Sequence, residues 1–425
     1  MPIETSCVAV ARPSGDDRQW TRVCRAVAGA AVLVLAACAQ SGPGVPGSKP
    51  PVAAQSFDDG VDSLTAALLA GAQRDPADHA TRRILVVDPL IDRGTGNQVV
   101  ATRRMADRMI ARVREQTPSI EPRPFTAENL DQKPLLLVGS ITAVAGPGSV
   151  PPVTSRRPTV YRIWASLSDL RTGKIIAKEM AWVRADGVDM SPTEFFRASP
   201  AWAADPAMVA YLKTCGGNPG EPVDPTYLNG VKANAATAEG IQAYENGRPL
   251  EALVALTAAE HLAGGDQIRV HNGLYLTNLA LGRTDVAEAE FGRMIDAGLD
   301  QGKLAVKLVF KPASVQFWPE RAISGPYPMW LRQIAAHAAE RSACLRIIGH
   351  TSPTGAPEIN DVLSKRRAEF VRATLIRRAP QLRPRTQALG RGSSEPIVGS
   401  GRDDATDVLD RRVEFAPSNC VRTGL

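Results

Sequence analysis

The chain has 425 residues, 44% of them hydrophobic and only 5% aromatic, a composition typical of a globular protein. This length suffices for about two to four domains, because single cores stop growing well below it. The net charge of +6 is spread along the chain, and the densest basic cluster, Arg366–Arg385, is not accompanied by a nucleic-acid-binding motif. Nucleic acid is therefore not expected as a partner, and an anionic polymer or lipid head group fits the cluster better.

The N-terminal segment has the features of an export signal. Arginines precede the apolar run AVAGAAVLVLAAC, which is too short to span a bilayer and is typical of a signal-peptide core. The run ends in Leu35-Ala36-Ala37-Cys38, which resembles the bacterial lipobox. That resemblance implies that residues 1–37 are removed, that Cys38 is lipidated and, because Ala39 follows it, that the protein is anchored at the periplasmic face of the outer membrane. A plain cleaved export signal is the alternative.

Residues 38–56 are predicted to form a flexible tether, because they are rich in Gly, Pro and Ser. Residues 57–215 are predicted to form an α/β periplasmic domain. Its elements in chain order are a helix over 57–74, a buried strand from Ile84, a helix over Val99–Val113, a strand from Pro134 and a hairpin from Thr159 that turns at Arg171–Lys174. Asp88 ends the first strand and is interpreted as structural, since no nucleophile or base motif accompanies it.

Residues 227–300 are predicted to be a helical repeat segment. The stretch GRPLEALVAL from Gly247 matches GRTDVAEAEF from Gly282, with a small residue at each turn and apolar residues after it. The pair resembles tetratricopeptide repeats, which implies a groove for a partner protein. A helical spacer is the alternative, since two repeats cannot bury a core alone and must pack on a neighbouring domain.

Residues 303–425 carry an ordered set of motifs. These are GHT at Gly349–Thr351, Gly355, Asn360, LSKRRA at Leu363–Ala368, GRG at Gly390–Gly392 and DRRVEF at Asp410–Phe415. The set resembles the C-terminal domain of the OmpA/Pal/MotB family, whose members bind peptidoglycan, although the family usually has Asn where this chain has Asp410. The resemblance implies an OmpA-like α/β sandwich with a first strand over residues 304–317, beginning at Leu304, and a first helix from Tyr327. The expected fold class is therefore multidomain α+β.

Arg367 is the central residue of the predicted binding site. Its spacing of four from Leu363 and Val371 puts an arginine within an apolar helical stripe. A buried guanidinium needs an anion, because an unpaired charge there costs several kcal/mol. From the residues alone, a carboxylate of the same domain is the favoured partner. The family resemblance implies instead that Arg367 binds the carboxylate of the diamino acid in the peptidoglycan stem peptide.

The resemblance also places Asn360, Thr351, Ser352 and His350 in this pocket. In the family, an aspartate at the position of Ser352 pairs with the ammonium group of the diamino acid. A serine brings no charge, and charged hydrogen bonds contribute about 1.5–3 kcal/mol against about 1 for neutral ones. Weakened or altered binding of the wall is therefore expected.

Cysteine usage fits an oxidising compartment. Cys344 begins a predicted strand and Cys420 follows the last one, so these two are the candidate disulfide, with Cys215 left over. The histidines are scattered, and no catalytic motif, metal-ligand spacing or phosphate loop is present. No enzymatic activity, metal site or cofactor is predicted.

The sequence thus predicts an outer-membrane lipoprotein that binds peptidoglycan non-covalently and presents periplasmic domains to a protein partner of the periplasm or outer membrane. Two alternatives remain. In the first, the protein is an envelope assembly or secretion factor whose OmpA-like domain has lost or altered wall binding. In the second, the α/β domain is an enzyme that acts on envelope polymers.

Overall fold

The structure, a computed structural model, describes residues 53–72, 82–144, 160–202, 205–301, 304–397, 407, 410–418 and 420. The predicted signal peptide, Cys38 and the tether up to residue 52 lie outside these ranges. Within them, no helix combines the length and the apolar character that crossing a membrane requires.

Helices and strands follow one another along the first part of the chain. They are α1 (Phe57–Ala72), β1 (Arg83–Val87), β2 (Ile91–Asp92), α2 (Val100–Gln116), β3 (Ile120–Pro122), α3 (Ala127–Asp131), β4 (Leu135–Val144), β5 (Val160–Asp169) and β6 (Lys174–Arg184). The predicted hairpin is present as β5 and β6, which pair antiparallel on either side of Arg171–Gly173.

A mainly helical part comes next. Its elements are α4 (Glu194–Ala198), β7 (Ala201–Trp202), α5 (Pro206–Gly216), α6 (Pro225–Glu245), α7 (Pro249–His261), α8 (Ile268–Ala280) and α9 (Thr284–Asp300). The pairs α6–α7 and α8–α9 are helical hairpins, whose turns contain Gly247 and Gly282 with φ of 69° and 72°. Only glycine adopts this backbone conformation without strain. The internal sequence match corresponds to these two hairpins, and their assignment as tetratricopeptide repeats stays a prediction.

The C-terminal part contains β8 (Leu304–Val306), α10 (Arg321–Ser324), α11 (Tyr327–Glu340), β9 (Cys344–Gly349), α12 (Pro357–Arg378), a 3-10 helix (Pro380–Arg385), β10 (Thr386–Gly390) and β11 (Val413–Ser418). The strand order is β10-β9-β11-β8-β7. The strands β9 and β10 are parallel, and the remaining neighbours are antiparallel. With two mixed sheets and many helices, the multidomain α+β class is confirmed.

The first sheet is covered on both faces. Its strand order is β3-β1-β4-β5-β6, with β2 beside β4, and β1 runs parallel to β3 and β4. Helices α1 and α2 pack on one face, while α5 and α6 pack on the other. Burial of both faces explains why β4 begins with four consecutive apolar residues, 135–138, instead of alternating with polar ones.

The helical hairpin α8–α9 shares its core with the C-terminal sheet. The ring of Phe291 on α9 stacks on Trp330 of α11, with centroids 5.5 Å apart. Trp330 Nε1 donates to the hydroxyl of Tyr275 on α8 at 2.8 Å. This packing supplies the apolar surface that two hairpins lack on their own.

Two predicted strands and the predicted tether differ from the structure. The strand from Ile84 is broken into β1 and β2, because Pro89 has no N–H to donate to a neighbouring strand. The strand from Leu304 ends at Val306. Gln55, at the end of the predicted tether, belongs to the fold, because its N–H donates to the Trp182 carbonyl at 2.9 Å.

The chain beyond β8 folds back on itself. The N–H of Lys311 donates to the carbonyl of Gln316 and that of Trp318 to the carbonyl of Val309, both at 3.0 Å. Ala313, at the tip, has a φ of 50°, an uncommon conformation for a residue other than glycine. Residues 311–318, which we call the 311–318 segment, therefore form a turn in place of the predicted strand.

Candidate functional site

The five residues that the sequence predicts for the binding site lie around the loop between β9 and α12. His350, Thr351 and Ser352 begin this loop, directly after the last residue of β9. The N–H of His350 donates to the Arg412 carbonyl and that of Thr351 to the Gly392 carbonyl, both at 2.9 Å. The loop is thus anchored to the residue before β11 and to the chain that follows β10.

Close packing of α12 on the ends of β9 and β10 explains the glycines of the GHT and GRG motifs. A Cβ atom at Gly349 would lie 2.0 Å from the Ser364 carbonyl oxygen, so only glycine fits there. The Ser364 hydroxyl donates to the Asp361 carbonyl at 2.8 Å and accepts from the Gly392 N–H at 2.9 Å. The GHT, LSKRRA and GRG motifs therefore meet at one place.

Arg367 is fully buried, with 0% of its surface exposed. Its guanidinium donates to three backbone carbonyls, those of Ser314 and Lys311 at 3.0 Å and that of His350 at 3.2 Å. It also lies 5.1 Å above the ring of Phe310. The 311–318 segment therefore covers the guanidinium that the sequence predicts to bind a ligand.

The other four predicted residues are buried as well. Exposure is 0% for His350, 2% for Thr351, 4% for Ser352 and 6% for Asn360. The Ser352 hydroxyl lies 3.1 Å from that of Thr354, whose carbonyl accepts from Asn360 Nδ2 at 2.9 Å. The structure thus brings the five residues together and encloses them.

Sequence reasoning missed the groups that enclose this cluster. Lys311 and Ser314 act through backbone carbonyls, which no side-chain motif reveals. Arg412 and Glu414 form a buried ion pair at 2.8 Å, and Glu414 approaches His350 Nε2 to 3.9 Å. Of these enclosing groups, only Arg412 and Glu414 could have been found from the sequence, since both belong to the DRRVEF motif.

A disulfide joins Cys344 and Cys420, the pair that the sequence singles out. Cys344 is the first residue of β9 and is paired with Ser418, the last residue of β11. Cys215 is a free, buried thiol, and burial raises its pKa to about 11. Its reactive thiolate form is therefore scarce at neutral pH.

Asp88 lies at the carboxyl end of β1 and is 2% exposed. The hydroxyl of Tyr227 on α6 donates to its Oδ2 at 2.5 Å. Burial raises the pKa of Asp88 to about 6, although hydrogen bonds from Tyr227 and Asn234 oppose the shift. These contacts tie the sheet to α6, and the structural role expected from the sequence stays a prediction.

A cleft of about 530 Å³ lies next to Asp88, between the end of β1 and the helices α2 and α6. Its walls are partly apolar, with Ile110, Phe125 and Ile241 among the lining residues. Arg103 of α2 and Glu245 of α6, both lining residues, form an ion pair. Its lining contains four acidic and four basic residues, so neither sign of charge dominates.

Replacing Asp88 with asparagine is expected to stabilise the protein at pH 7 by about 2–3 kcal/mol, because a pKa difference of one unit corresponds to about 1.4 kcal/mol. The pKa of Asp88 rises from the ordinary 3.8 to about 6 on folding. The folded protein therefore binds more protons than the unfolded chain between these values, and its stability falls as the pH rises through this range. Urea unfolding at pH 4, 5, 6 and 7 measures the effect.

Asp107→Asn is the matched control, because Asp107 lines the same cleft but is exposed. Its effect on the free energy of unfolding should be small, because substitutions of exposed residues usually change it by less than about 0.5 kcal/mol. If Asp88→Asn and the parent protein have equal free energies of unfolding at both pH 4 and pH 7, then folding does not raise the pKa of Asp88.

No known protein family matches the chain, and no curated protein sequence does so either. Solved structures do resemble part of it. The peptidoglycan-associated lipoprotein from Burkholderia pseudomallei is 24% identical, with a TM-score of 0.23, over 26% of this chain and 88% of that one. An outer-membrane protein from Borrelia burgdorferi B31 is 24% identical, with a TM-score of 0.22, over 28% of this chain and 88% of that one.

The periplasmic domain of Helicobacter pylori MotB is also similar. It is 16% identical, with a TM-score of 0.20, over 28% of this chain and 81% of that one. Identities and TM-scores this low support no conclusion about function, which must be argued from the residues of this chain.

Proposed function

We propose that this protein is an exported lipoprotein of the outer membrane that binds peptidoglycan non-covalently through residues 303–425. Its other domains would be presented in the periplasm to a protein partner of the periplasm or outer membrane. The observation that carries this proposal is the grouping of His350, Thr351, Ser352, Asn360 and Arg367 around one loop, in the order that the OmpA-like motifs require.

Two further features support an exported protein. The disulfide between Cys344 and Cys420 is of a kind that persists in oxidising compartments such as the bacterial periplasm. In this proposal, the lipobox-like sequence ending at Cys38 supplies the membrane anchor. The Gly- and Pro-rich residues after it form a flexible linker that lets the folded domains extend away from the membrane.

In the proposed mechanism, the stem-peptide carboxylate competes with the protein's own backbone for Arg367. The guanidinium now donates to carbonyls of the 311–318 segment, which are neutral acceptors. A carboxylate is the stronger acceptor, because charge-assisted hydrogen bonds are roughly twice as strong as neutral ones. The segment moves aside as the ligand enters, and the Ser352 and Asn360 side chains then contact the diamino acid.

Introducing aspartate at position 352 tests this mechanism. Co-sedimentation of residues 39–425 with purified peptidoglycan should show Ser352→Asp binding about tenfold more tightly, because a carboxylate adds a charged contact to the ligand ammonium. Arg367→Lys should bind more weakly than the parent, since an ammonium group lacks the planar fork that matches a carboxylate.

Ser394→Asp is the matched control, because it adds the same charge on an exposed residue of the nearby loop after β10. It should leave binding unchanged. Binding that is equal for the parent, Ser352→Asp and Arg367→Lys would exclude this site as the wall-binding site. Melting curves of each variant verify that the folded protein is being compared.

A second candidate function is favoured by the enclosure of the site. With Ser352 in place of an aspartate and all five residues buried, the domain would keep its fold without binding the wall, and the protein would act in envelope assembly or secretion through the helical hairpins. Absence of sedimentation for the parent and for Ser352→Asp, together with partner recruitment by a chain truncated near residue 300, would support this candidate.

A further inference from the structure

Three consecutive helices bring a histidine and two glutamates together outside the site described above. Glu260 is near the end of α7, His271 is in the first turn of α8 and Glu290 is in the middle of α9. One possible ligand atom from each residue lies within 4.8 Å of the other two. The cluster escapes sequence analysis because its members come from separate helices.

The atoms of His271 and Glu290 that face each other lack hydrogen-bond partners. His271 is 4% exposed and Glu290 is 3% exposed. His271 Nδ1 lies 3.7 Å from Glu290 Oε2, and both atoms are buried without a hydrogen bond. An unpartnered buried polar atom costs free energy, so a cation between the two atoms would stabilise this pair.

The second nitrogen of the imidazole indicates that a cation fits this position. His271 Nε2 lies 2.9 Å from Asp266 Oδ1, a contact that requires the proton on Nε2. In the neutral imidazole, Nδ1 then presents a lone pair toward the lone pairs of Glu290 Oε2. A cation relieves this repulsion. A carboxylate behind the imidazole is also the usual arrangement around a metal-binding histidine.

The charges point to a dication. Arg293 donates to Oε1 of Glu260 and of Glu290, which neutralises one of the two carboxylates. One negative charge remains between them, and the exposed Asp266 adds another. A doubly charged ion balances this local excess.

We propose that Glu260, His271 and Glu290 bind a divalent transition-metal ion, with Zn²⁺ as the best fit. One imidazole with carboxylates suits Zn²⁺, whereas Mg²⁺ and Ca²⁺ prefer oxygen ligands alone. Bonds of about 2.1 Å put tetrahedral ligands about 3.4 Å apart, so side-chain rotation must bring the three atoms closer by up to about 1.4 Å. Water would occupy the fourth position. The ion would join α7 to the hairpin α8–α9.

Calorimetric titration of the purified, chelator-treated protein with ZnCl₂ tests this site. We expect one Zn²⁺ per chain and a higher melting temperature in its presence. His271→Asn and Glu290→Gln should weaken binding by about 100-fold or more, and Asp266→Asn by about 10- to 100-fold. Glu260→Gln changes a half-buried residue and therefore tests a ligand with less risk to folding.

His337→Asn is the matched control. His337 Nδ1 also lies 3.0 Å from a carboxylate, that of Asp296, but His337 is outside the cluster. This variant should bind Zn²⁺ like the parent. Absence of Zn²⁺ binding by the parent, or equal binding by the parent, Glu260→Gln and His271→Asn, would overturn the proposal and leave a proton on Nδ1 as the cation between the two side chains.

Discussion

Arg367→Ala is expected to lower the free energy of unfolding by about 3–5 kcal/mol, because it leaves one buried and two partly buried carbonyls without this donor and opens a cavity. The acceptors are the carbonyls of Lys311, Ser314 and His350. Urea unfolding of the parent and the variant measures the loss. Hydrogen exchange should also become faster in the 311–318 segment, since two of the three lost bonds hold it.

Arg372→Ala is the control for this prediction. Arg372 lies on the same helix and also donates to backbone carbonyls, those of Thr386 and Arg383, but it is only half-buried. Its loss should cost about 1 kcal/mol, since water can replace a partly exposed donor. Equal destabilisation by the two variants would mean that the enclosure of Arg367 has no special role in stability.

The site around Arg367 was only partly predictable from the sequence. The residues from His350 to Arg367 fall within one loop and one helix, so motif spacing was enough to predict that they lie together. Ser314 and Lys311 of the 311–318 segment are 53 and 56 positions before Arg367, and they contact it through backbone atoms. Neither apolar periodicity nor side-chain identity carries that information.

The same distinction holds for the fold. Periodicity predicted α1, α2, β4 and the β5–β6 hairpin, whose patterns are local and repeat over many residues. It missed β7, which has two residues and exists because β8, about a hundred positions later, pairs with it. Two residues are too few to show an alternating pattern of apolar and polar side chains, and the formation of so short a strand depends on tertiary contacts.

The disulfide gives the second large effect. Cys420→Ser is expected to lower the free energy of unfolding by about 2–4 kcal/mol, because a bridge that closes a long loop removes much of the freedom of the unfolded chain. The two cysteines are 76 positions apart. Their loss also frees the ends of β9 and β11, whose pairing finishes at Cys344 and Ser418.

Urea unfolding with and without a thiol reductant tests this effect in the parent chain. The reduced parent should match Cys420→Ser, and the reductant should leave that variant unchanged. Cys215→Ala is the control, because Cys215 is a free thiol and its variant should still lose stability on reduction. A parent whose unfolding does not respond to reductant would show that the bridge adds nothing to stability. The expected response would instead make the stability of the C-terminal domain dependent on an oxidising compartment.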